Sequence, residues 1–178
     1  MGLIEDVPLR NTVILVDTNV MIEAVRTSTW NAITGNLHIE TVEECRDEAC
    51  RGDQTDPAYV LVTSAELGRL RCVHSVSATE RAELLLTDPQ SHGLDPGERD
   101  LFAHAFARKK AGDSVWLLSS PDKASIRAAF RGNVHDSLVS LQKVCKVVGA
   151  RPTTPFKKHH LDDFLSEYRT DCVMGLNR

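Results

Sequence analysis

The residue run from Thr12 to Val16, followed directly by Asp17, constrains the fold of this chain more than any other feature. All five residues of the run are β-branched or apolar, and such a run predicts a strand buried on both faces of a parallel sheet. Asp17 then stands at the carboxyl end of the strand, where open α/β sheets bind ligands. Because an acid in this position is also a common helix N-cap, Asp17 alone is compatible with a structural role and with a functional one.

A second segment repeats this arrangement. Val115 to Leu118 is apolar, small hydroxyl residues follow, and Asp122 leads into a predicted helix over 122–130. The carboxyl ends of parallel strands meet at one edge of a sheet, so Asp17 and Asp122 are predicted to face each other.

A third acid, Glu98, lies in the first turn of an alanine-rich helix predicted over 98–110. The turn-forming residues 94–97 place it there. An acid in a first turn complements the helix dipole, which is one interpretation. However, Leu101, Phe102, Ala105 and Phe106 define the packed face, and Glu98 lies one turn before Leu101 on that side. An acid on the buried side of a helix requires a cation, which is the second interpretation.

The fourth acid lies in a short helix predicted over 41–50, whose apolar stripe is Val42, Cys45 and Ala49. Its acids are mostly expected on a solvated face: Glu43, Glu44, Asp47 and Glu48. We favour Glu44 over Glu43 for an inward position, although helical spacing does not separate two neighbours.

Together these residues resemble a known family. Asp-Thr-Asn at 17–19, an acid after a valine at 44, Gly-Glu at 97–98 and Ser-Ser-Pro-Asp at 119–122 are similar to the motifs of the PIN domain. The resemblance is greatest to ribonucleases of the VapC toxin type and covers about residues 10–150. It implies an acidic tetrad supported by Asn19 and Ser120, with Glu43 and Asp100 as alternatives at two positions. The tetrad is Asp17, Glu44, Glu98 and Asp122.

An acidic cluster of this kind is typical of phosphodiester hydrolysis. Hard divalent cations such as Mg²⁺ or Mn²⁺ prefer carboxylate oxygens, neutralise charge on the phosphate and activate water. We assign Asp17 and Asp122 as principal metal ligands, and Glu98 as a ligand or as the group that orients the attacking water. Glu44 would hold a metal-bound water or a second ion. Mutual repulsion should raise the pKa of at least one of these carboxyl groups without metal.

The resemblance further implies RNA as substrate, products with a 3′-hydroxyl and a 5′-phosphate, a homodimer, and an antitoxin protein as partner. The alternative is a PIN-fold module that binds RNA or protein without cutting. A phosphatase of the haloacid dehalogenase type would need a second acid two residues after Asp17. Asn19 stands at that position.

Charge is distributed unevenly along the chain. The net charge is −4, but residues 37–100 contain 14 acids and 6 Lys/Arg, whereas residues 123–158 contain 8 Lys/Arg and one acid. Lys123, Arg127 and Arg131 recur at helical spacing beside Asp122, which suggests a basic ridge that binds an RNA backbone. The alternative for each residue is an ordinary solvated helix charge.

Length and composition agree with one globular domain. The chain has 178 residues, of which 42% are hydrophobic. No apolar run has the length of a membrane helix, and Glu5 and Asp6 are atypical of a secretory signal, so we expect a cytoplasmic protein. The five cysteines lack Cys-x-x-Cys spacing and are expected to be reduced thiols.

Alternating apolar runs and helical patterns predict an α/β protein, a three-layer α/β/α sandwich with a central, mainly parallel sheet. We expect a nuclease-like domain over 1–150 and a C-terminal extension over 151–178 with a short helix, part of that domain or a docking tail. Near the boundary, the pattern predicts a helix over 135–143 and a strand over 144–148. His159 and His160 are expected in a solvated basic turn rather than a metal site.

Overall fold

A computed structural model describes residues 9–51, 55–113 and 115–176 of the chain. The N-terminal residues Glu5 and Asp6, used above to argue against a secretory signal, lie outside the described residues. The sheet has four strands in the order β3-β2-β1-β4, and all neighbouring pairs are parallel. The strands are β1 (Val13–Val16), β2 (His38–Val42), β3 (Cys72–His74) and β4 (Trp116–Ser119).

Helices flank this sheet, so the predicted three-layer α/β/α sandwich is confirmed. The α-helices are α1 (Thr18–Arg26), α2 (Trp30–Asn36), α3 (Glu43–Cys50), α4 (Ser64–Leu67), α5 (Ala78–Thr87), α6 (Pro96–Lys110), α7 (Lys123–Arg131), α8 (Leu141–Val147) and α9 (Asp162–Val173). In one group of helices, α6 packs on α3 and α5 and contacts β1 and β2. In another, α2 contacts β2 and α8, and α9 packs on α7 and α8.

The neighbouring strands β1 and β4 contribute much of the buried apolar core around the sheet. Ile14, Leu15 and Val16 of β1 are buried, as is all of β4. A strand with apolar neighbours on both faces needs an uninterrupted apolar run, which explains why both strands were recognisable from sequence.

The chain departs from the predicted elements after α7. Residues 135–143 do not form one helix, and residues 144–148 do not form a strand. Instead, a 3₁₀ turn over His135–Ser137 leads to Leu138, which bridges to Leu118 of β4, and α8 follows. Ser140 caps α8 by accepting a hydrogen bond from the Lys143 N–H at 3.0 Å. A short apolar run such as 144–148 suits a strand or a buried helix equally, and the cap favours the helix.

After α8, residues 151–161, which we call the return segment, lie against α1. Thr153 N–H donates to the Thr27 carbonyl at 3.0 Å, and Arg26 donates to the Pro155 carbonyl at 2.6 Å. The segment ends in a 3₁₀ turn, Lys158–His160, and α9 then packs on α7 and α8. The C-terminal extension therefore lies on the body of the domain.

None of the helices in the described parts of the chain is long and apolar enough to cross a membrane. All five cysteines are free thiols, and Cys45 and Cys145 are buried.

Candidate functional site

The carboxyl ends of β1 and β4 lie side by side. Val16 pairs with Ser119 in the parallel register, and the Asp17 N–H donates to the Ser119 carbonyl at 3.1 Å. The next residue of each chain segment is therefore at the same level, which brings Ser120 beside Asp17. Asp122 follows two residues later, so Asp17 and Asp122 lie at the same edge of the sheet, as predicted.

Asp17 is almost fully buried, with 1% of its surface exposed, and its carboxylate has three hydrogen-bond donors. One oxygen accepts from the backbone N–H groups of Asn19 and Val20, at 2.5 and 3.2 Å, and the other accepts from the Ser120 hydroxyl at 2.6 Å. Asp17 is thus the N-cap of α1, the structural role that the sequence left open beside a functional one. Capping uses one oxygen, and the second lies toward the end of β4.

Burial is the main cause of the raised pKa of the Asp17 carboxyl group. It raises the pKa of this carboxyl from 3.8 to about 6, and the nearby charge of Asp122 acts in the same direction. The three hydrogen bonds stabilise the ionised form and lower the pKa, but they do not offset desolvation. None of the groups that dominate this pKa shift is a cation.

Glu98 is the second buried acid of the site. It lies in the first turn of α6 and is 8% exposed, on the same side as Leu101 and Phe102, as predicted. Its pKa is raised from 4.5 to about 7. Burial is the largest cause and repulsion from Asp17 is the second, while the Ser125 hydroxyl acts to lower the pKa. The prediction of a raised carboxyl pKa is confirmed, although burial contributes more than mutual repulsion.

Asp122 completes this group of three acids and differs from the other two. Its side chain is exposed and caps α7 by accepting a hydrogen bond from the Ala124 N–H at 2.6 Å. Its charge raises the pKa of both Asp17 and Glu98, which locates it near both carboxyl groups. The site therefore combines two buried acids with one that faces solvent.

The three acids are not drawn together around one point. Within residues 9–51, 55–113 and 115–176, no group of three or more His, Cys, Asp or Glu side chains is arranged to hold a metal ion. Mg²⁺ is commonly bound by one or two carboxylates together with water and substrate phosphate, and that mode of binding does not need a cage of protein ligands.

The acid of α3 that joins this region is Glu48. One carboxylate oxygen accepts a hydrogen bond from the Thr18 hydroxyl at 2.8 Å, and the other accepts from the Gly97 N–H at 2.9 Å. Glu48 thus links the residue after Asp17 to the residue before Glu98. The prediction that Glu48 belongs to a solvated face was wrong, because Gly97 has no side chain and leaves room for the carboxylate.

Glu44, which was favoured for the inward position in α3, and its alternative Glu43 both lie away from the other acids' hydrogen-bond contacts. Glu44 forms an ion pair with Arg51 at 3.6 Å, and 34% of its side-chain surface is exposed. Glu43 is exposed in the first turn of the helix. One feature of the sequence could have indicated that Glu48 faces inward. It lies three residues after the buried Cys45 and one turn after Glu44, so it is on the same side of α3 as both.

Asp100, the alternative to Glu98, is buried but has a different partner. Arg81 of α5 donates two hydrogen bonds to its carboxylate, at 2.7 and 2.6 Å. This bidentate pair joins α5 to α6 and neutralises the acid. The charges of Asp17 and Asp122 both raise the pKa of Glu98, which supports Glu98 as the member of the site.

The predicted basic ridge of α7 is largely engaged within the chain. Arg127 donates to the Tyr168 hydroxyl of α9 at 2.8 Å, and Arg131 makes a bidentate pair with the buried Asp88, both bonds at 2.8 Å. Lys123 is exposed, with its ammonium 5.2 Å from the centre of the Tyr168 ring. Two of the three residues therefore have structural contacts.

Two further predictions concern polar side chains near the site. Ser120 contacts Asp17 as expected of a supporting residue, whereas the Asn19 side chain is exposed and its backbone N–H makes the contact. His160 is buried, at 2% exposure, so the prediction of a solvated turn was wrong for this residue. His159, which sequence reasoning set aside, experiences the charge of Asp122.

The hydrogen bond from Ser120 gives a direct prediction. In Ser120→Ala the ionised form of Asp17 loses a donor, so the pKa of Asp17 should rise above 6 by about one pH unit. An NMR titration of the Asp17 carboxyl carbon measures this change. Ser125→Ala is the matched control: Ser125 is also a buried serine, but its hydroxyl has no hydrogen-bond partner among the described residues, so the pKa of Asp17 should stay in place. An unchanged Asp17 titration in Ser120→Ala would contradict the assignment.

Comparisons with known proteins add no identification to this geometry: no family model, no curated protein and no solved structure matches the chain.

Proposed function

We propose that this chain is a metal-dependent endoribonuclease of the PIN type, which hydrolyses phosphodiester bonds in RNA. The observation that supports the proposal best is that Asp17 and Asp122 follow paired strands at the carboxyl edge of a parallel sheet, close enough to Glu98 for their charges to affect it. Two of these carboxyl groups are buried with pKa values of about 6 and about 7, near the pH at which a proton acceptor is most effective.

The donor chemistry of the site fits Mg²⁺ or Mn²⁺. Asp17, Glu98 and Asp122 supply only carboxylate oxygens, the ligands that hard divalent cations prefer, and a cation would relieve the cost of ionising the two buried acids. Such an ion supplies Lewis acidity toward the phosphate and lowers the pKa of bound water. Asp17 and Asp122 are the principal ligands in this proposal.

Each acid has a separate task. Asp17 is held by Ser120 and by the start of α1, so its orientation is set by the fold before substrate binds. Glu98, with a pKa of about 7, accepts a proton from the attacking water at its carboxylate. Asp122 is exposed and lies at the start of α7, where the positive end of the helix dipole favours an approaching phosphate.

A second candidate function is a PIN-fold module that binds RNA or protein without cutting. The separation of the acids favours it, since the described residues contain no ready-made group of three metal-binding side chains. The raised pKa values of Asp17 and Glu98 favour the nuclease. Neither acid forms an ion pair within the described parts of the chain, and burying such acids costs stability that a binding module has no reason to retain.

The further properties implied by the family resemblance are part of this proposal. They are a 3′-hydroxyl and a 5′-phosphate on the products, a homodimer, and a role as the toxin of a toxin-antitoxin pair with an antitoxin protein as partner. Each depends on the nuclease proposal and has its own test, beginning with the mass of the protein in solution and the identity of the RNA ends.

The decisive experiment is cleavage of labelled single-stranded RNA by the purified protein with Mg²⁺, with Mn²⁺ and with a chelator. Internal cutting that requires the divalent ion and disappears with the chelator supports the nuclease. RNA binding without cutting under all three conditions would favour the second candidate.

Metal binding should also stabilise the fold. At about ten times its Kd, Mn²⁺ should add about 1.4 kcal/mol, which raises the Tm by about 3–6 °C. The gain should be larger at pH 8 than at pH 5, because protons compete for Asp17 and Glu98 at the lower pH. Thermal melting at both pH values measures this, and an equal gain in Asp17→Asn would place the ion elsewhere.

A further inference from the structure

The return segment has a fixed position on α1. The Lys157 N–H donates to Glu23 at 2.7 Å, and Glu23, which is 1% exposed, is held by two hydrogen bonds from Arg26, both at 2.7 Å. Arg26 also donates to the Thr154 hydroxyl and to the Pro155 carbonyl. These contacts fix the backbone of the segment and leave the Lys157 side chain exposed.

The turn that ends this segment lies beside the acidic site. His159 and His160 line a small internal cavity together with Ser119, Ser120 and Pro121, the residues that lead from β4 to Asp122. The charge of Asp122 acts on the His159 ring. The turn therefore borders the same edge of the sheet as the three acids.

A row of rings continues from this turn along α9. The His159 and Phe164 rings are 6.5 Å apart at a steep angle, and Phe164 stacks on Tyr168 at 6.1 Å. Lys123, which follows Asp122, has its ammonium over the Tyr168 ring. Tyr168 itself is buried at 6% exposure, so the side chains accessible along this border are the exposed Lys123 and the half-buried His159 and Phe164. Basic and aromatic side chains in one place are typical of surfaces that bind single-stranded nucleic acid.

The lysines of the return segment are free of ion pairs among the described residues, whereas two of the basic residues of α7 are bonded within the chain. Arg127 and Arg131 are committed to Tyr168 and Asp88. By contrast, Lys157 and Lys158 are exposed, and neither has a carboxylate partner among the described residues. Free ammonium groups on a fixed backbone are suited to contact phosphates at low cost.

We propose that the return segment, through Lys157, Lys158 and His159 together with Lys123, binds the phosphate backbone of the RNA strand that enters the acidic site. The proposal rests on the nuclease function and replaces the α7 ridge as the main RNA-binding surface. The lysines position the strand without reading its sequence, and the half-buried His159 ring offers a face to a base.

The test measures binding separately from cleavage. Labelled single-stranded RNA is titrated with Asp17→Asn protein in chelator, with and without the added double substitution Lys157→Ala/Lys158→Ala. Alanine at 157 keeps the N–H that bonds Glu23, so the segment stays in place. We expect about a tenfold loss of affinity at about 0.1 M salt, and a fall of about 1.4 in the salt slope, since each phosphate contact contributes about 0.7.

The matched control removes two charges from the opposite edge of the sheet. Arg69 and Arg71 are exposed, precede β3 and have no ion pair in the described parts of the chain. Arg69→Ala/Arg71→Ala should change RNA affinity by less than about twofold. His159→Gln should weaken binding about fivefold, because a stacking face is lost.

The outcomes separate this proposal from the nuclease function. Equal losses in the two double variants, wild-type affinity in the lysine variant, or no RNA binding at low salt would each overturn the RNA-binding surface. Tighter binding of a matched single-stranded DNA would make DNA the occupant and also overturn it. If the lysines govern binding while wild-type protein with Mn²⁺ cuts no RNA, the surface is supported and the nuclease proposal fails.

Discussion

Asp17→Asn should produce a protein that no longer cuts RNA and is more stable than the wild type. Cleavage should fall by about a hundredfold or more, since a preorganised charge at the reacting centre is removed. Stability at pH 8 without metal should rise by about 1–3 kcal/mol, because the ionised carboxylate is buried at 1% exposure. Asparagine still offers an oxygen that caps α1 and an amide next to the Ser120 hydroxyl.

The dependence of stability on pH has a defined sign. The pKa of Asp17 is about 6 in the folded protein and 3.8 without the fold, so the folded state binds the proton more tightly. Stability from this group is therefore highest below about pH 4 and is lost as the pH rises from about 4 through 6, by about 3 kcal/mol in total. Chemical denaturation between pH 4 and pH 8 in chelator should show most of this fall in wild type and a smaller one in Asp17→Asn.

Asp100→Asn is the matched control, because it changes a second buried aspartate. The Asp100 carboxylate is paired with Arg81, so its removal should lower stability by about 1–2 kcal/mol, a value reduced by the partial exposure of Arg81. RNA cleavage should persist. Equal activities of the two variants would exclude Asp17 from the reaction, and a loss of stability in Asp17→Asn would show that its charge is structural.

The sequence was sufficient for β1 and β4 and for the position of three of the acids, whereas the strand predicted over 144–148 falls almost entirely within α8. Uninterrupted apolar runs identified β1 and β4, and parallel pairing then brought Asp17 and Asp122 to one edge. Glu98 was placed by the periodicity of its own helix. In each case the sequence pattern lies within one helix or strand. The only further assumption is that the strands are parallel.

Contacts that depend on a second element were not predictable in this way. Glu48 is half-buried because Gly97, in another helix, leaves a space that no pattern in α3 reveals. Arg131 was predicted to bind RNA or to be a solvated charge, but it pairs with Asp88, the residue that follows α5. His160 is buried because the return segment lies against α1. The residues that were missed therefore mark the interfaces between elements.

The second large effect is expected for Gly97→Ala, because the missing side chain of Gly97 leaves the space that Glu48 occupies. A Cβ added there would lie 2.3 Å from a Glu48 carboxylate oxygen and 3.1 Å from the Cys45 sulfur. Gly97→Ala should therefore displace Glu48 from Thr18 and from the 97 N–H. We expect a loss of about 1–2 kcal/mol, since about 2–3 kcal/mol of hydrogen bonding to a carboxylate exceeds the helix propensity gained, about 1 kcal/mol. Denaturant titration in chelator measures the change.

RNA cleavage should fall about tenfold or more in the same variant, because Glu48 joins the residues that flank Asp17 and Glu98. Gly35→Ala provides the contrast. Gly35 lies within α2 with open space around its Cβ position, so alanine there should stabilise the protein by about 0.5–1 kcal/mol and leave cleavage unchanged. Similar losses in both variants would point to a general effect of alanine rather than to Glu48.

A double-mutant cycle identifies Glu48 as the residue that responds. In the Glu48→Ala background the carboxylate is absent, so the two closest contacts of the added Cβ are removed and Gly97→Ala should cost less than about 0.5 kcal/mol. A coupling energy of about 1 kcal/mol or more, in stability and in cleavage rate, would show that the two residues act through one contact. Additive effects would mean that alanine at 97 disturbs α6 itself, in which case Glu48 has no part in orienting the acids.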